Sequence, residues 1–329
     1  MKKPPDPSLP PTSPILHSSI LDVAAAVIQR PDGSFLLAER PEGKPYAGWW
    51  EFPGGKIEAN EDARAALVRE LHEELGIDVK RAYPWLSRVY RYPHATVRLH
   101  FFRVTAWNGE PHGKENQRFD WQFPGHVAVA PLLPANGPIL KALELPSQLA
   151  ITCATEMGTD LFLQRLDQAL AHGLRLIQVR EKTLAEDELA SLAAEIVRRA
   201  TPHGAKVLIN GSSAVAKSCG ADGIHLSSAQ LMTLPQRPDF PWCGASCHNR
   251  EELERAAELE LDYAVLSPVK ATLTHPDAPP LGWEVFADLV QDLPLPIYAL
   301  GGMNVDDMET AWRSGAHGIA MLRNAWRAM

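Results

Sequence analysis

The stretch Gly55-Lys-Ile-Glu-Ala-Asn60-Glu61-Asp-Ala-Arg-Ala-Ala-Leu-Val-Arg69-Glu70-Leu71-His-Glu73-Glu74-Leu-Gly76-Ile77 decides how the first half of the chain is read. Its pattern predicts a helix over residues 60–75, with Asn60 as the N-cap and Gly76 as the C-terminal stop. Glu70, Glu73 and Glu74 stand at i, i+3 and i+4, so their carboxylates share one helical face. Packed like charges destabilise a helix unless something neutralises them, and a hard dication such as Mg²⁺ is suited to carboxylate oxygens. The preceding Glu51-Phe52-Pro53-Gly54-Gly55 loop lets backbone come close, because glycine has no Cβ. Arg69 can pair with one of the carboxylates and orient it. The ordinary alternative is a solvated acidic helix face.

Outward from this helix, residues 20–145 alternate in a mixed α and β manner. Residues 21–28 read as a strand, Pro31-Asp-Gly33 turns the chain toward a second strand at 34–38, and apolar or aromatic strands follow at 86–92 and 96–107. A last helix begins after Asn136-Gly-Pro. Beyond Leu145-Pro146 the rhythm changes to strand-like runs at 149–154, 174–179, 206–209, 223–226, 242–246, 263–266, 297–300 and 318–321. Helical patterns at 184–200, 250–259 and 305–314 lie between them. Repeated βα units imply a parallel sheet, and closure into a (β/α)8 barrel is the simplest solution. The expected organisation is a proline-rich flexible tail at 1–18, a mixed-sheet domain at 19–146 and a barrel at 149–329.

Composition bounds the function classes. The chain has 329 residues, a formal charge of −8, 45% hydrophobic residues and 22% charged residues, values that allow real cores and exclude general disorder. No apolar run reaches the ~20 residues of a membrane span. Net acidity argues against direct nucleic-acid binding, which calls for a basic face. The amino terminus has no apolar segment of the secretory kind. Cys153, Cys219, Cys243 and Cys247 form no CxxC pair and read as reduced thiols in a cytoplasmic protein. Oligomeric state is not legible.

The 55–77 stretch satisfies the pattern G-x5-E-x7-R-E-U-x-E-E-x-G-U (U apolar) at every fixed position, and the chain resembles the Nudix hydrolases. The resemblance implies an α/β/α sandwich with a mixed sheet. It also implies Mg²⁺ or Mn²⁺ held by Glu70, Glu73, Glu74 and the carbonyl of Gly54, and hydrolysis of a nucleoside diphosphate linked to another group. Trp50-Glu-Phe-Pro-Gly-Gly-Lys-Ile-Glu58, Gly113-Lys-Glu115-Asn-Gln117 and Pro134-Ala-Asn136-Gly-Pro138 are similar to the MutT type, which cleaves 8-oxo-dGTP to its monophosphate and pyrophosphate. By that likeness Glu115 adds a carboxylate at the metal, Asn136 reads the purine edge, Arg40 and Phe52 hold the nucleotide, and Tyr92 lines the base pocket. The lesser alternatives are a turn residue for Asn136 and a solvated loop carboxylate for Glu115. Ala95 departs from the MutT pattern, which carries an arginine there.

The second half resembles thiamine phosphate synthases and their TenI-type relatives. The motifs are Gln178-Val-Arg180-Glu-Lys182, Ile209-Asn210, Gly220-Ala-Asp-Gly-Ile-His225-Leu, Gly244-Ala-Ser246-Cys-His248, Thr272-Leu-Thr274 and Gly301-Gly302, in family order. The resemblance implies a barrel ligand site at Gln178, Arg180, Lys182, Asn210, Ser246, His248, Thr272, Thr274, Gly301 and Gly302. The departures are Gly211 and Gln230, where the synthase holds Mg²⁺ on two aspartates, together with His275 and Arg323. These imply a crippled metal-assisted step and a degenerate synthase. A TenI-like role would make His248 an acid/base for a thiazole phosphate; a structural histidine is the other reading. The expected activity is therefore Mg²⁺-dependent 8-oxo-dGTP pyrophosphohydrolysis. The rivals are a thiamine-pathway pyrophosphate as substrate, or a barrel that senses a phosphate ligand without turning it over.

Overall fold

The computed structural model describes residues 20–114, 117–272 and 279–327. The chain divides into two compact units, Met1–Glu144 and Leu145–Met329. Among the described residues no helix is long and apolar enough to cross a membrane.

The first unit contains β1 (Leu21–Ile28), β2 (Phe35–Glu39), β3 (Trp50–Glu51), β4 (Gly54–Lys56), α1 (Ala63–Leu75), β5 (Asp78–Tyr92), β6 (Ala95–Asn108), β7 (Phe119–Gln122) and α2 (Gly137–Leu143). One sheet has the order β4-β1-β6-β5 and a smaller one the order β3-β2-β7. The β1–β6 pair is parallel and the β4–β1 and β5–β6 pairs are antiparallel, so the larger sheet is mixed. Side chains of a strand alternate between faces. Ala24, Ala26 and Ile28 of β1 accordingly pack with Ala66, Leu67, Leu71 and Leu75 of α1. Ala25 and Val27 pack on the other side with Ile139, Ala142 and Leu143 of α2. This is the expected α/β/α sandwich.

The helix begins later than the sequence suggested. Asn60 lies in the left-handed region at φ 68°. The cap is Asp62, whose carboxylate accepts from the Ala65 N–H at 2.8 Å. A side-chain oxygen placed there satisfies one of the first-turn amides. Both residues are good caps by type, and only the turn geometry separates them. Gly76 ends the helix at φ 66°, as expected. The short strands β3, β4 and β7 carry too few residues to show a period.

The second unit is a closed barrel of eight parallel strands: β8 (Gln148–Ile151), β9 (Leu176–Val179), β10 (Lys206–Asn210), β11 (Gly223–Leu226), β12 (Trp242–Cys247), β13 (Tyr263–Leu266), β14 (Ile297–Leu300) and β15 (Gly318–Met321). The helices between them are α3 (Ala154–Met157), α4 (Thr159–Ala171), α5 (Glu186–Ala200), α6 (Ser213–Ser218), α7 (Ser228–Thr233), α8 (Arg250–Glu258), α9 (Gly282–Val290) and α10 (Met308–Arg313). Leu149, Ile151, Leu176, Leu208, Tyr263, Val265, Tyr298 and Ala320 fill the interior. The alternate residues, among them Ala150, Ile177, Val207 and Ile209, pack outward among the helices. Gln178 and His225 are the polar exceptions buried within the strands.

Candidate functional site

In the first unit, β4 lies along α1 and brings the glycine edge against the glutamates. A Cβ on Gly55 would sit 2.1 Å from the Glu70 carboxyl carbon, and one on Gly54 would sit 2.1 Å from the Ala24 carbonyl oxygen. Only glycine fits either position. The Gly54 N–H donates to Glu74 Oε2 at 3.3 Å. Glu70 and Glu74, 17% and 14% exposed, face this edge. Glu73, 56% exposed, points toward water.

Arg69 ties these groups together. Its guanidinium donates to Glu70 Oε1 at 2.8 Å, Glu73 Oε2 at 3.3 Å, both oxygens of Glu61 at 3.1 and 3.0 Å, and the Lys56 carbonyl at 3.0 Å. Arg69 thus pairs with three carboxylates, those of Glu61, Glu70 and Glu73. Lys44 approaches Glu74 from a loop, its Nζ 3.9 Å from Oε1. Burial pushes the Glu74 carboxyl up to about 7, with the neighbouring charges of Glu51 and Glu70 adding to the rise. Like charges in a desolvated site favour proton or cation uptake.

Glu51, which the sequence reading did not single out, accepts two hydrogen bonds from Arg40 at 2.5 and 2.6 Å. Desolvation raises its carboxyl in spite of this partner. Glu51 thus joins the Arg40 side of the site to the glutamate side. Its signal was the residue type alone inside the Trp50–Gly55 run. Tyr92 belongs to a ring cluster with Tyr46, Tyr90 and His94. Phe52 is buried against Phe35 and Phe101. Asn136 is buried, and its amide donates to the Trp50 carbonyl at 3.2 Å. Glu115 lies outside the described residues.

Carboxylate oxygens with a glycine backbone beside them are a donor set that suits a hard dication. Among the described residues, no three His, Cys, Asp or Glu side chains converge as a ready cation cage. Arg69 and Lys44 hold the carboxylates instead.

The barrel has a cavity of about 430 Å³ whose walls include Gln178, Arg180, Lys182, Asn210, Ser246 and His248, and also Thr272, Gly301 and Gly302. The structure brings these expected residues together; Thr274 and His275 lie outside the described residues. Gln178 donates to Asn210 Oδ1 at 3.0 Å. His248 Nδ1 donates to the Ser267 carbonyl at 2.8 Å. Gly302, at φ 63°, lies where a Cβ would come within 2.8 Å of the Ala271 carbonyl oxygen. Desolvation lowers the Arg180 guanidinium, and Arg180 in turn lowers the Lys182 ammonium. Arg323 is held by Glu156 through two bonds at 2.7 and 2.8 Å.

Behind the cavity, His225 is fully buried between Tyr263 and Ser246, with both ring nitrogens 2.9 Å from a hydroxyl oxygen. Burial and the charge of Arg180 lower its pKa to about 3, so it stays neutral. The sequence motif contained His225, but nothing in its spacing revealed this bridge.

Neither Gly211 nor Gln230 supplies a carboxylate to a dication. Gln230 Nε2 donates to the Gly211 carbonyl at 2.9 Å, and Oε1 accepts from the Ser227 N–H at 3.0 Å and hydroxyl at 3.1 Å. Both ends of the amide are engaged, and the residues present do not fit Mg²⁺.

A mixed-sheet unit with a glutamate helix and a closed parallel barrel define a two-part α/β enzyme. Residues 20–143 match the family model of the NUDIX domain, and residues 149–325 that of thiamine monophosphate synthase. The chain belongs to both families, and its first unit is a hydrolase of phosphoric anhydrides. It is 41% identical over 123 residues to the CTP pyrophosphohydrolase of Escherichia coli, covering 37% of this chain and 90% of that one. It is 35% identical over 128 residues to the 8-oxo-dGTP diphosphatase of Haemophilus influenzae, covering 39% and 94%. The barrel is 34% identical over 181 residues to a putative thiamine-phosphate synthase 2 of Aquifex aeolicus, covering 54% and 96%.

Proposed function

We propose that the first unit hydrolyses 8-oxo-dGTP to 8-oxo-dGMP and pyrophosphate, and so keeps oxidised guanine out of newly made DNA. The observation that carries the hydrolytic assignment is the packing of Glu70 and Glu74 against the glycine edge of β4. Glu70, Glu73, Glu74 and the Gly54 carbonyl would hold Mg²⁺ or Mn²⁺, with Glu115 as a further candidate ligand. The metal, when bound, neutralises phosphate charge and lowers the pKa of a water. Arg69 holds Glu70 in place beside the glycine edge of β4. Arg40, Phe52, Tyr92 and Asn136 are the proposed nucleotide residues; of these, Phe52 and Asn136 are buried.

A cytidine triphosphate is the second reading. It is favoured by the relative named CTP pyrophosphohydrolase and by Ala95, which supplies no polar group for an oxidised purine. Side-by-side kcat/KM values for 8-oxo-dGTP, dGTP, CTP and a pyrimidine pyrophosphate of the thiamine pathway separate these. An 8-oxo-dGTP value no higher than that for dGTP overturns the first reading.

For the barrel we propose binding of a phosphate-bearing small molecule without the metal-assisted synthase step. Arg180 and Lys182 crowd positive charge at the cavity, and the Gln230–Gly211 pair offers no carboxylate to a cation. Full thiamine phosphate synthase turnover by the chain overturns it. We further propose domain limits of 19–146 and 149–329, and a cytoplasmic setting, supported by four free cysteines. The residues of the proposed tail, 1–18, lie outside the described ones.

A further inference from the structure

The chain between β2 and β3 carries two side chains that the reading above leaves without a role, Lys44 and Tyr46. We propose that both are substrate contacts: Lys44 takes an oxygen of the polyphosphate, and Tyr46 stacks on the base together with Tyr92 and His94. This rests on the nucleotide reading of the first unit and extends it to two residues outside the motifs quoted above.

The loop is clasped on Arg40. The Arg40 N–H donates to the Trp49 carbonyl at 2.8 Å, the Gly48 N–H to the Arg40 carbonyl at 2.9 Å, and the Trp49 N–H to the Tyr46 carbonyl at 3.0 Å. The Arg40 side chain adds a bond from Nε to the Pro45 carbonyl at 2.7 Å while its other nitrogen grips Glu51. One arginine therefore sets the loop against the site floor, and what the loop presents is fixed with it.

Lys44 is presented to Glu74. At 3.9 Å the pair is an electrostatic contact longer than a hydrogen bond, and Lys44 is 46% exposed. Its ammonium compensates a carboxylate that burial and neighbouring charge destabilise. A dication on Glu74 would do the same work, so the two compete. An anion brought with the metal then offers Lys44 a partner in place of Glu74 and beside the charge of Glu51, and its long stem lets the ammonium follow.

Tyr46 is presented to the hairpin of β5 and β6. Its ring centroid lies 5.5 Å from Tyr92, 5.8 Å from His94 and 5.3 Å from Trp49. Its backbone is at φ 61°, a conformation that is strained for a bulky L-residue and persists where surrounding contacts enforce it. Tyr92 feels the charges of Glu51 and Arg40, so the rings adjoin the carboxylate floor. Aromatic faces beside a polyphosphate site suit a flat heterocycle, and stacking reads the face of a base, tolerating purine and pyrimidine alike. Tyr46 should thus raise affinity for every nucleotide and leave the preference for 8-oxo-dGTP over dGTP unaltered.

The test uses the full chain, Mn²⁺ alone followed by electron paramagnetic resonance, and α,β-methylene-dGTP as a non-hydrolysable probe with Mn²⁺ saturating. Lys44→Met is expected to weaken the probe by about tenfold while Mn²⁺ without nucleotide binds at least as tightly as before. Weaker Mn²⁺ binding, or probe affinity within twofold, overturns the Lys44 assignment. Tyr46→Gly suits the positive φ and removes the ring; it is expected to weaken the probe by about fivefold or more. Tyr46→Phe should stay within twofold, and the ratio of kcat/KM for 8-oxo-dGTP to dGTP should hold in both. Equal losses in the two variants, no loss in Tyr46→Gly, or a changed ratio overturns the stacking assignment. If 8-oxo-dGTP is not the preferred substrate, the probe arms still decide on Lys44 and Tyr46.

Discussion

The two sites of this chain solve opposite electrostatic problems. In the first unit Glu51, Glu70 and Glu74 crowd negative charge where water is scarce, and Arg40, Arg69 and Lys44 offset it from one side. In the barrel Arg180 and Lys182 crowd positive charge beside a cavity, while Glu181 is turned away to accept from the Ala154 and Thr155 N–H groups. A site short of positive charge asks for a cation, and one short of negative charge asks for an anion. The same contrast appears in glycine use. Gly54 and Gly55 bring backbone to carboxylates, whereas Gly211 accepts from a neutral amide.

The contrast is broken most directly at Glu74. Glu74→Gln should lower kcat for nucleotide hydrolysis on the order of 10²–10³-fold, since a bound metal contributes several kcal/mol to the transition state. Full turnover by this variant removes the metal assignment. EDTA should likewise silence the hydrolase, yet inorganic phosphate should still bind the barrel, as read by ³¹P NMR line width on the intact chain. Arg180→Met should weaken that binding by about tenfold, and binding that vanishes with EDTA would merge the two sites into one metal-dependent kind.

A third expectation sharpens the comparison through pH. His225 has a folded pKa near 3 against an ordinary 6.5. Between those values the unfolded chain takes up a proton that the folded barrel refuses, so stability falls as pH drops from about 6.5 toward 3. The slope from this group is at most about 1.4 kcal/mol per pH unit. Hydrogen exchange in β11 and β12 should accelerate across that window, and a flat profile rules out the neutral, buried histidine. The smallest effect belongs to the helix cap: Asp62→Ala should cost about 1 kcal/mol, read from exchange in the first turn of α1, while Asn60→Gly, which suits the positive φ, should leave that turn's protection unchanged.

That last pair marks where the sequence stops being legible. The spacing of Glu70, Glu73 and Glu74 showed one helical face, and the face exists. Which of the three turns to the loop depends on where β4 lies, and β4 is three residues long. The barrel was legible because its strands are apolar runs between helical ones, and 223–226, 263–266, 297–300 and 318–321 coincide with strands. Helices such as Ser213–Ser218 and Ser228–Thr233 escaped because six residues barely show a period. Tyr46, Lys44 and Glu51 were invisible for a different reason. Their partners are distant in sequence, and a single tyrosine, lysine or glutamate carries no pattern of its own.

The bridge of Tyr263, His225 and Ser246 has a direction. Among the described residues the Tyr263 hydroxyl has His225 Nδ1 as its hydrogen-bond partner. A buried hydroxyl that kept its proton to itself would lose about 1–3 kcal/mol, so Tyr263 donates and Nδ1 accepts. The ring proton then sits on Nε2 and goes to Ser246 Oγ. Protons therefore point one way, from Tyr263 through His225 to Ser246, and the last one, on Ser246, is left over for the cavity. Ser246 Oγ, having accepted from the imidazole, keeps its own proton, so the barrel core, through two fully buried residues, leaves the serine a donor toward whatever atom settles against it.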